Sequence, residues 1–264
     1  PVAFRGGAAD FFHEAIGDAI ALSVMTPGHL REIGLAPPDD AKASKRGSDG
    51  EEEMNAADKT AINTLMRVAL SKLAFMPFAY AVDKWRWAAA REDQVTPENY
   101  TASWWTTVAA FQGLKPPVER GAAADAAGML DAGAKYHVAA HVPYLRYFGA
   151  HVLEFQLHRA ACRASGWPSH RPLHECSISQ SKAAGDRIAA MLGLGASVPW
   201  PEAIGVATGG QEHELDATAM VQYLQPLLDW LRKENLRHEG GDEDETCAWD
   251  GMTDGSHLRR RRRR

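Results

Sequence analysis

The chain has 264 residues, of which 45% are hydrophobic and 24% charged, with a formal net charge of −5 at pH 7. That composition supports one substantial core and excludes a disordered protein. Six of the 29 basic residues form the terminal run Arg259–Arg264; without them 23 basic residues face 34 acidic ones, a net −11, and so acidic a body excludes a dedicated nucleic-acid surface.

The Arg run reads as a solvated end, its sharper alternative being salt-sensitive binding of polyanions. No uninterrupted apolar run reaches the length of a membrane span, because Arg, Asp, Lys or His breaks each one. The chain starts at Pro1 without a basic-then-apolar leader, so it is expected to be part of a longer protein. Among three cysteines, Cys162 and Cys176 flank a segment with Gly166, Pro168 and Pro172 that can turn the chain back. They either pair, closing a loop worth about 3 kcal/mol in an oxidising compartment, or stay as two buried thiols. Asn99-Tyr100-Thr101 is an N-x-T glycosylation acceptor.

Helical periodicity dominates from end to end, with no alternating strands, so the fold class is all-α. The first helix is expected over Phe11–Met25, apolar nearly all round and therefore buried. Glu14 and Asp18, four residues apart, share one of its faces. A buried acid pair needs an ion-pair partner, hydrogen bonds or a metal; His13 adds a candidate ligand.

Pro27 starts a short helix ending near Gly34. The stretch 37–57 has hardly an apolar side chain and reads as an exposed insertion. Asp58 is expected to cap a helix with the stripe Ile62, Leu65, Met66, Ala69, Leu70 and Leu73, interrupted at Pro77. Trp85 and Trp87 follow among charges, and a helix opening at Thr96-Pro97-Glu98 carries Trp104 and Trp105. After a Gly- and Ala-rich connection, Pro143 suits a first helical turn that places Tyr144, Tyr147, Phe148 and His151 on one face. With Lys135 and His137 just before it, five polar groups can converge on one cleft; the plainer reading is a core helix whose phenols reach the surface. Ser181–Leu192 and a segment opening at Pro199 are helical. Asp216 caps a last helix with the stripe Met220, Leu224, Leu227, Leu228 and Leu231. From 240 the apolar periodicity stops, and a disordered tail is expected to 264.

FHEAIGD at Phe12–Asp18, LAFMPFAYAVDKWRW at Leu73–Trp87, DAGAKYH at Asp131–His137 and HVPYLRYF at His141–Phe148 together resemble the angiotensin-converting enzyme family of zinc dipeptidyl carboxypeptidases. FQLHRAAC, PLHEC and QPLLDWLRKEN, further on, extend the resemblance to about His238. It implies that 1–239 are the C-terminal part of a mainly helical metallopeptidase domain with a deep central cleft. That domain releases dipeptides from the free C-termini of peptides.

By the same resemblance Glu14 is a zinc ligand and Asp18 the acid that orients a histidine ligand. The other two ligands and the general base belong to an H-E-x-x-H helix, which the family places just before this segment. His13-Glu14-Ala15-Ile16-Gly17 begins like that motif but has Gly17 in place of the second histidine. One carboxylate does not retain zinc, so the chain alone is expected to be inactive. His137 and Tyr147 match the catalytic pair that stabilises the oxyanion, and Lys135 and Tyr144 the groups that grip the substrate carboxylate. Phe75 and Phe78 match aromatic pocket residues, Arg146 and Trp104 chloride-site positions, and Cys162 and Cys176 a disulfide.

Departures stand at Val108, where the second chloride-site arginine belongs, at His151, where an aromatic pocket residue belongs, and at Ala139 and Lys115. The implied cofactors are zinc and chloride. The implied location is secreted or on the outer face of a membrane. The competing reading is a non-catalytic binding protein that keeps the scaffold without zinc.

Overall fold

The computed structural model describes residues 2–37, 54–91, 95–120 and 128–238. Among the described residues, ten α-helices and three short 3-10 turns make up the regular structure, and no strand occurs. The tail expected over 240–264 lies outside them. So does the insertion expected over 37–57, apart from Pro37 and 54–57, where Ala56 and Ala57 open a helix.

The chain divides into two compact units, Pro1–Leu73 with Arg146–Asn235 and Ala74–Leu145 with Leu236–Arg264. The first unit begins with α1, Phe11–Val24. Its buried face is Phe12, Ala15, Ala19 and Leu22, while His13, Glu14 and Ile20 are exposed. The expectation of burial all round is therefore corrected: Phe11 and Ile16 are half-buried at the edge of the core, Phe11 meeting Trp200 at 5.7 Å, and Ile20 and Val24 are exposed.

Pro27 opens α2, Pro27–Glu32, and Thr26 caps it by accepting from the His29 N–H at 3.2 Å. In α3, Ala56–Lys72, the cap is Asn55 instead of the expected Asp58, whose own N–H donates to Asn55 Oδ1 at 2.8 Å. Both residues have cap chemistry, and the helix simply starts one turn earlier. The long helix α7, Leu145–Ala164, is buried continuously from Gly149 to Cys162. Around it lie α8, Lys182–Leu194, capped by Ser181; α9, Trp200–Thr208; and α10, Thr218–His238.

Phe12, Ala15 and Ala19 of α1 meet Ala150, Leu153 and Leu157 of α7, and Met191, Ile204 and Ala207 of α8 and α9, in one apolar cluster. Alanines at these contacts let helices approach closely. At the end of α8 a Cβ on Gly195, which has φ +52°, would collide with the Phe4 carbonyl oxygen. On α10 the buried stripe is Met220, Tyr223, Leu224 and Leu227, while Leu228 is exposed and Leu231 half-buried; Tyr223 packs on Phe155 at 5.1 Å between ring centroids.

The second unit holds α4, Met76–Ala89, with Pro77 in its first turn, and α5, Tyr100–Gln112, closed by Gly113 in the left-handed region. These two helices pack on each other through Trp85 and Trp104, whose rings meet edge to face at 6.0 Å. A short helix, α6, Tyr136–Ala139, carries His137. The segment Val142–Leu145 is held within this unit. Asp83 Oδ2 accepts the N–H groups of Tyr144 at 2.8 Å and Leu145 at 2.6 Å, while Arg86 bridges Asp83 Oδ1 and the Val142 carbonyl at 2.8 Å each.

One stretch meets a windowed measure of span length and hydropathy although no apolar run within it is unbroken. Within Ala56–Ala89 an 18-residue window has a mean hydropathy of 1.4, which meets the length and composition of a span, and 22% of it is buried. The run consists of α3 and α4, separated by a turn at 73–75. Averaging over a window admits interrupting charges that a search for unbroken runs rejects.

Candidate active-site residues

In the first unit Glu14 stands exposed on α1, and Asp18 follows one turn later. Asp18 meets side chains from two other helices. Lys72, the last residue of α3, places its ammonium 2.5 Å from Asp18 Oδ2 and 3.3 Å from Glu154 Oε2. On α7, His151 Nδ1 lies 3.1 Å from Glu154 Oε2 and 3.8 Å from Asp18 Oδ2.

Two carboxyls this close do not both ionise easily. Burial pushes the Glu154 carboxyl above its ordinary value, against the hydrogen bond from His151 and the charge of Lys72. Burial also acts to raise Asp18, but hydrogen bonds from Lys72 and Glu154, with the charges of Lys72 and His151, bring it below the usual range. Burial thus favours the neutral form of Glu154, and the partners of Asp18 favour its anion. A cavity of about 560 Å³ adjoins this cluster, with Asp18, Leu22, Leu30, Val68, Lys72 and Tyr223 among its walls.

Arg146 and Tyr147 start α7 within the same unit, with the guanidinium carbon 5.4 Å from the phenol ring centroid. Arg146 Nε is buried and meets no acceptor among the described residues. Cys162 and Cys176 are joined by a disulfide, with Cα atoms 6.2 Å apart. Of the two readings left open by their spacing, pairing is correct.

In the second unit the sequence candidates gather on one ring. Tyr144 is only 3% exposed. The Lys135 ammonium lies 5.0 Å from its ring centroid, His137 meets it edge to face at 4.8 Å, and Phe78 and Phe75 flank it at 5.5 and 5.8 Å. Phe78 continues to Trp104 at 6.3 Å. Tyr144 precedes α7 by one residue and belongs to this cluster, not to a helical face shared with Tyr147 and His151 as expected. The reason is Asp83, which caps the helix after Tyr144 and leaves that side chain to turn into the aromatic group.

Sequence reasoning missed four residues: Lys72 and Glu154, which surround Asp18, and Asp83 and Arg86, which hold the approach to α7. Glu154 carried a signal, a charge inside the apolar run HVLEF. The others looked like ordinary helix-end or surface charges. At the glycosylation acceptor, Asn99 Oδ1 accepts from the Thr96 N–H at 2.9 Å, and Thr101 is fully buried with its hydroxyl donating to the Met129 carbonyl at 2.6 Å.

Fold and site together define an all-helical protein whose reactive side chains collect in an acid–imidazole–ammonium cluster and an aromatic, cationic one. A family model described as Angiotensin-converting enzyme matches residues 1–242. The chain is 48% identical over 238 residues to an angiotensin-converting enzyme of Sus scrofa, covering 90% of this chain and 16% of that protein. It is 37% identical over 251 residues to the angiotensin-converting enzyme of Theromyzon tessulatum, covering 94% of this chain and 36% of that protein. An angiotensin-converting enzyme-related protein of Drosophila melanogaster is 40% identical over 241 residues, 90% of this chain and 35% of its own length. The chain belongs to the angiotensin-converting enzyme family. It spans about a sixth of the length of the mammalian relatives and about a third of the two invertebrate ones.

Proposed function

We propose that this chain is the C-terminal part of the catalytic domain of a zinc peptidyl-dipeptidase, which cleaves peptides two residues from a free C-terminus around a deep cleft. The observation that carries the reading is the convergence of Lys135 and His137 on Tyr144, between Phe75 and Phe78, in a chain of this family.

The donor set fits one ligand of a zinc site. Glu14 offers an exposed carboxylate, and Asp18, kept anionic one turn away, is suited to accept from the N–H of a ligating histidine. Zinc, when bound, supplies Lewis acidity and an acidified water. In this reading the remaining ligands and the general base come from an H-E-x-x-H segment outside the 264 residues, so the chain alone is inactive.

The chain's own residues bind and polarise substrate. Lys135 and the Tyr144 hydroxyl grip the terminal carboxylate through charge-assisted hydrogen bonds, which fixes cleavage at the second residue from the end. Phe75 and Phe78 supply apolar walls for the departing dipeptide. His137 and Tyr147 donate to the oxygen on which negative charge develops, and His137 passes a proton to the leaving amine. Arg146, whose buried Nε meets no acceptor among the described residues, together with Trp104, is the candidate chloride pair. The Cys162–Cys176 disulfide supports a secreted or outer-surface location.

The test is steady-state kinetics in the longest natural protein that carries this chain. His137→Ala and Tyr147→Phe should lower kcat by about a hundredfold or more, whereas Lys135→Ala should raise KM about tenfold to a hundredfold. Unchanged kinetics in all three overturn these assignments. Native protein with no stoichiometric zinc supports the non-catalytic scaffold instead.

A further inference from the structure

His158 is buried in the middle of α7 and stands against the disulfide, with Nε2 3.5 Å and Nδ1 4.0 Å from Cys162 Sγ. Its ring is neutral, because burial pushes its pKa down to about 4. A neutral imidazole has one N–H, yet two carbonyls, those of Leu173 and Ala19, face the ring as acceptors. Only one is served, and the other ring nitrogen keeps a lone pair. Tyr223 closes one side of the ring at 5.7 Å.

The three potential donor atoms of His158, Cys162 and Cys176 lie within 4.8 Å of one another. A tetrahedral metal with nitrogen at about 2.0 Å and sulfur at about 2.3 Å sets those two ligands roughly 3.6 Å apart. The Nε2 to Sγ distance of 3.5 Å already matches that edge. Two thiolates on such a metal stand about 3.8 Å apart, and side-chain rotation across backbones 6.2 Å apart can reach that separation.

The geometry points to a second, latent metal site: once the Cys162–Cys176 disulfide is reduced, the two thiolates and His158 hold a thiophilic metal ion that closes the same loop. This does not depend on the peptidase reading. A dithiol supplies two electrons and two protons, breaking the sulfur–sulfur bond to leave two thiols, and itself becomes a disulfide. Metal uptake then forms two sulfur–metal bonds and releases the two thiol protons to water. His158 binds through its lone pair and releases none. Soft thiolates favour zinc, cadmium or cuprous ion over hard cations, so Cys162 and Cys176 can cross-link α7 to the following loop in either redox state.

The test uses the full chain with Cys247→Ser, reduced by a dithiol that is then removed under argon, and cadmium as probe. The reduced chain should take up one equivalent of cadmium with a thiolate-to-metal charge-transfer band, and the oxidised chain should show no band. His158→Ala should weaken the reduced site ~tenfold or more, and Cys176→Ser should abolish the band. Absence of the band in the reduced chain overturns the proposal, as does equal cadmium affinity with and without His158. Should His158→Ala not fold, cadmium NMR of the unsubstituted site decides: two sulfurs with a nitrogen support it, and sulfur and oxygen alone overturn it.

Discussion

Replacing Glu154 by Gln tests the buried acid cluster directly. The wild-type side chain is fully buried between Lys72, His151 and Asp18, and its Oε1 meets no partner among the described residues. Burial raises its pKa above the ordinary 4.5 despite two favourable partners, so ionisation weakens the fold. The sign follows from linkage. Below about pH 4.5 the carboxyl is protonated in both folded and unfolded states and contributes no difference. As the pH rises through the folded pKa, the unfolded state releases its proton more readily and stability is lost.

Asp18 behaves in the opposite sense. Its folded pKa lies below 3.8, so its contribution is complete above pH 4 and falls away only in stronger acid. Between pH 4 and 8 the difference between variant and wild type therefore isolates Glu154. Gln keeps the volume, an acceptor for His151 and a donor for Asp18, and loses the charge that faces Lys72. The variant should match wild type near pH 4 and be about 1 kcal/mol more stable at pH 7 to 8. Urea unfolding followed by circular dichroism across that range gives the curve. A variant that is less stable at pH 7, and recovers in acid, would show that Lys72 and His151 hold Glu154 as a stabilising anion, and would refute the assignment of the proton.

Three further outcomes are expected. Asp83→Ala removes the acceptor of two backbone N–H groups and the partner of Arg86, and should cost about 2 to 4 kcal/mol in urea unfolding; a loss under 1 kcal/mol would mean that water replaces the cap. Cys162→Ser, compared with the oxidised wild type, should lose about 3 kcal/mol of stability for a loop of this size. Lys72→Met leaves Asp18 without its cation and should raise the Asp18 pKa, read by NMR titration of its carboxyl carbon; an unmoved value would show that Lys72 does not set it.

Much of the helical layout was legible because local signals determine it. Pro27, Pro77 and Ser181 sit at first turns or caps, Gly113 ends α5 in the left-handed region, and the spacing of Met220, Leu224 and Leu227 marks the inner face of α10. Exposure was less legible. Glu14 looked buried because its neighbours in sequence are apolar, but the turn of α1 sends Phe12, Ala15, Ala19 and Leu22 inward and leaves Glu14 exposed.

The candidate site was half legible. Lys135, His137, Tyr144, Phe75 and Phe78 were all named from motifs and do meet around one ring. The groups that support the site were not legible. Asp83 caps a helix 62 positions away, and Lys72 reaches Glu154 across 82; no periodicity within a window of one or two turns reports a pairing at that range. His151 looked like a departure from an aromatic position and a companion of Tyr144 and Tyr147 on one face, and is instead a member of the acid cluster.

The central claim is tested most directly by product analysis on the longest natural protein that contains this chain. A peptide with a free C-terminus and the same peptide amidated are each incubated with and without a zinc chelator. Release of an intact C-terminal dipeptide from the free peptide alone is expected, abolished by chelator and restored by zinc. Cleavage of the amidated peptide at an equal rate, release of single amino acids, or activity indifferent to the chelator would contradict it.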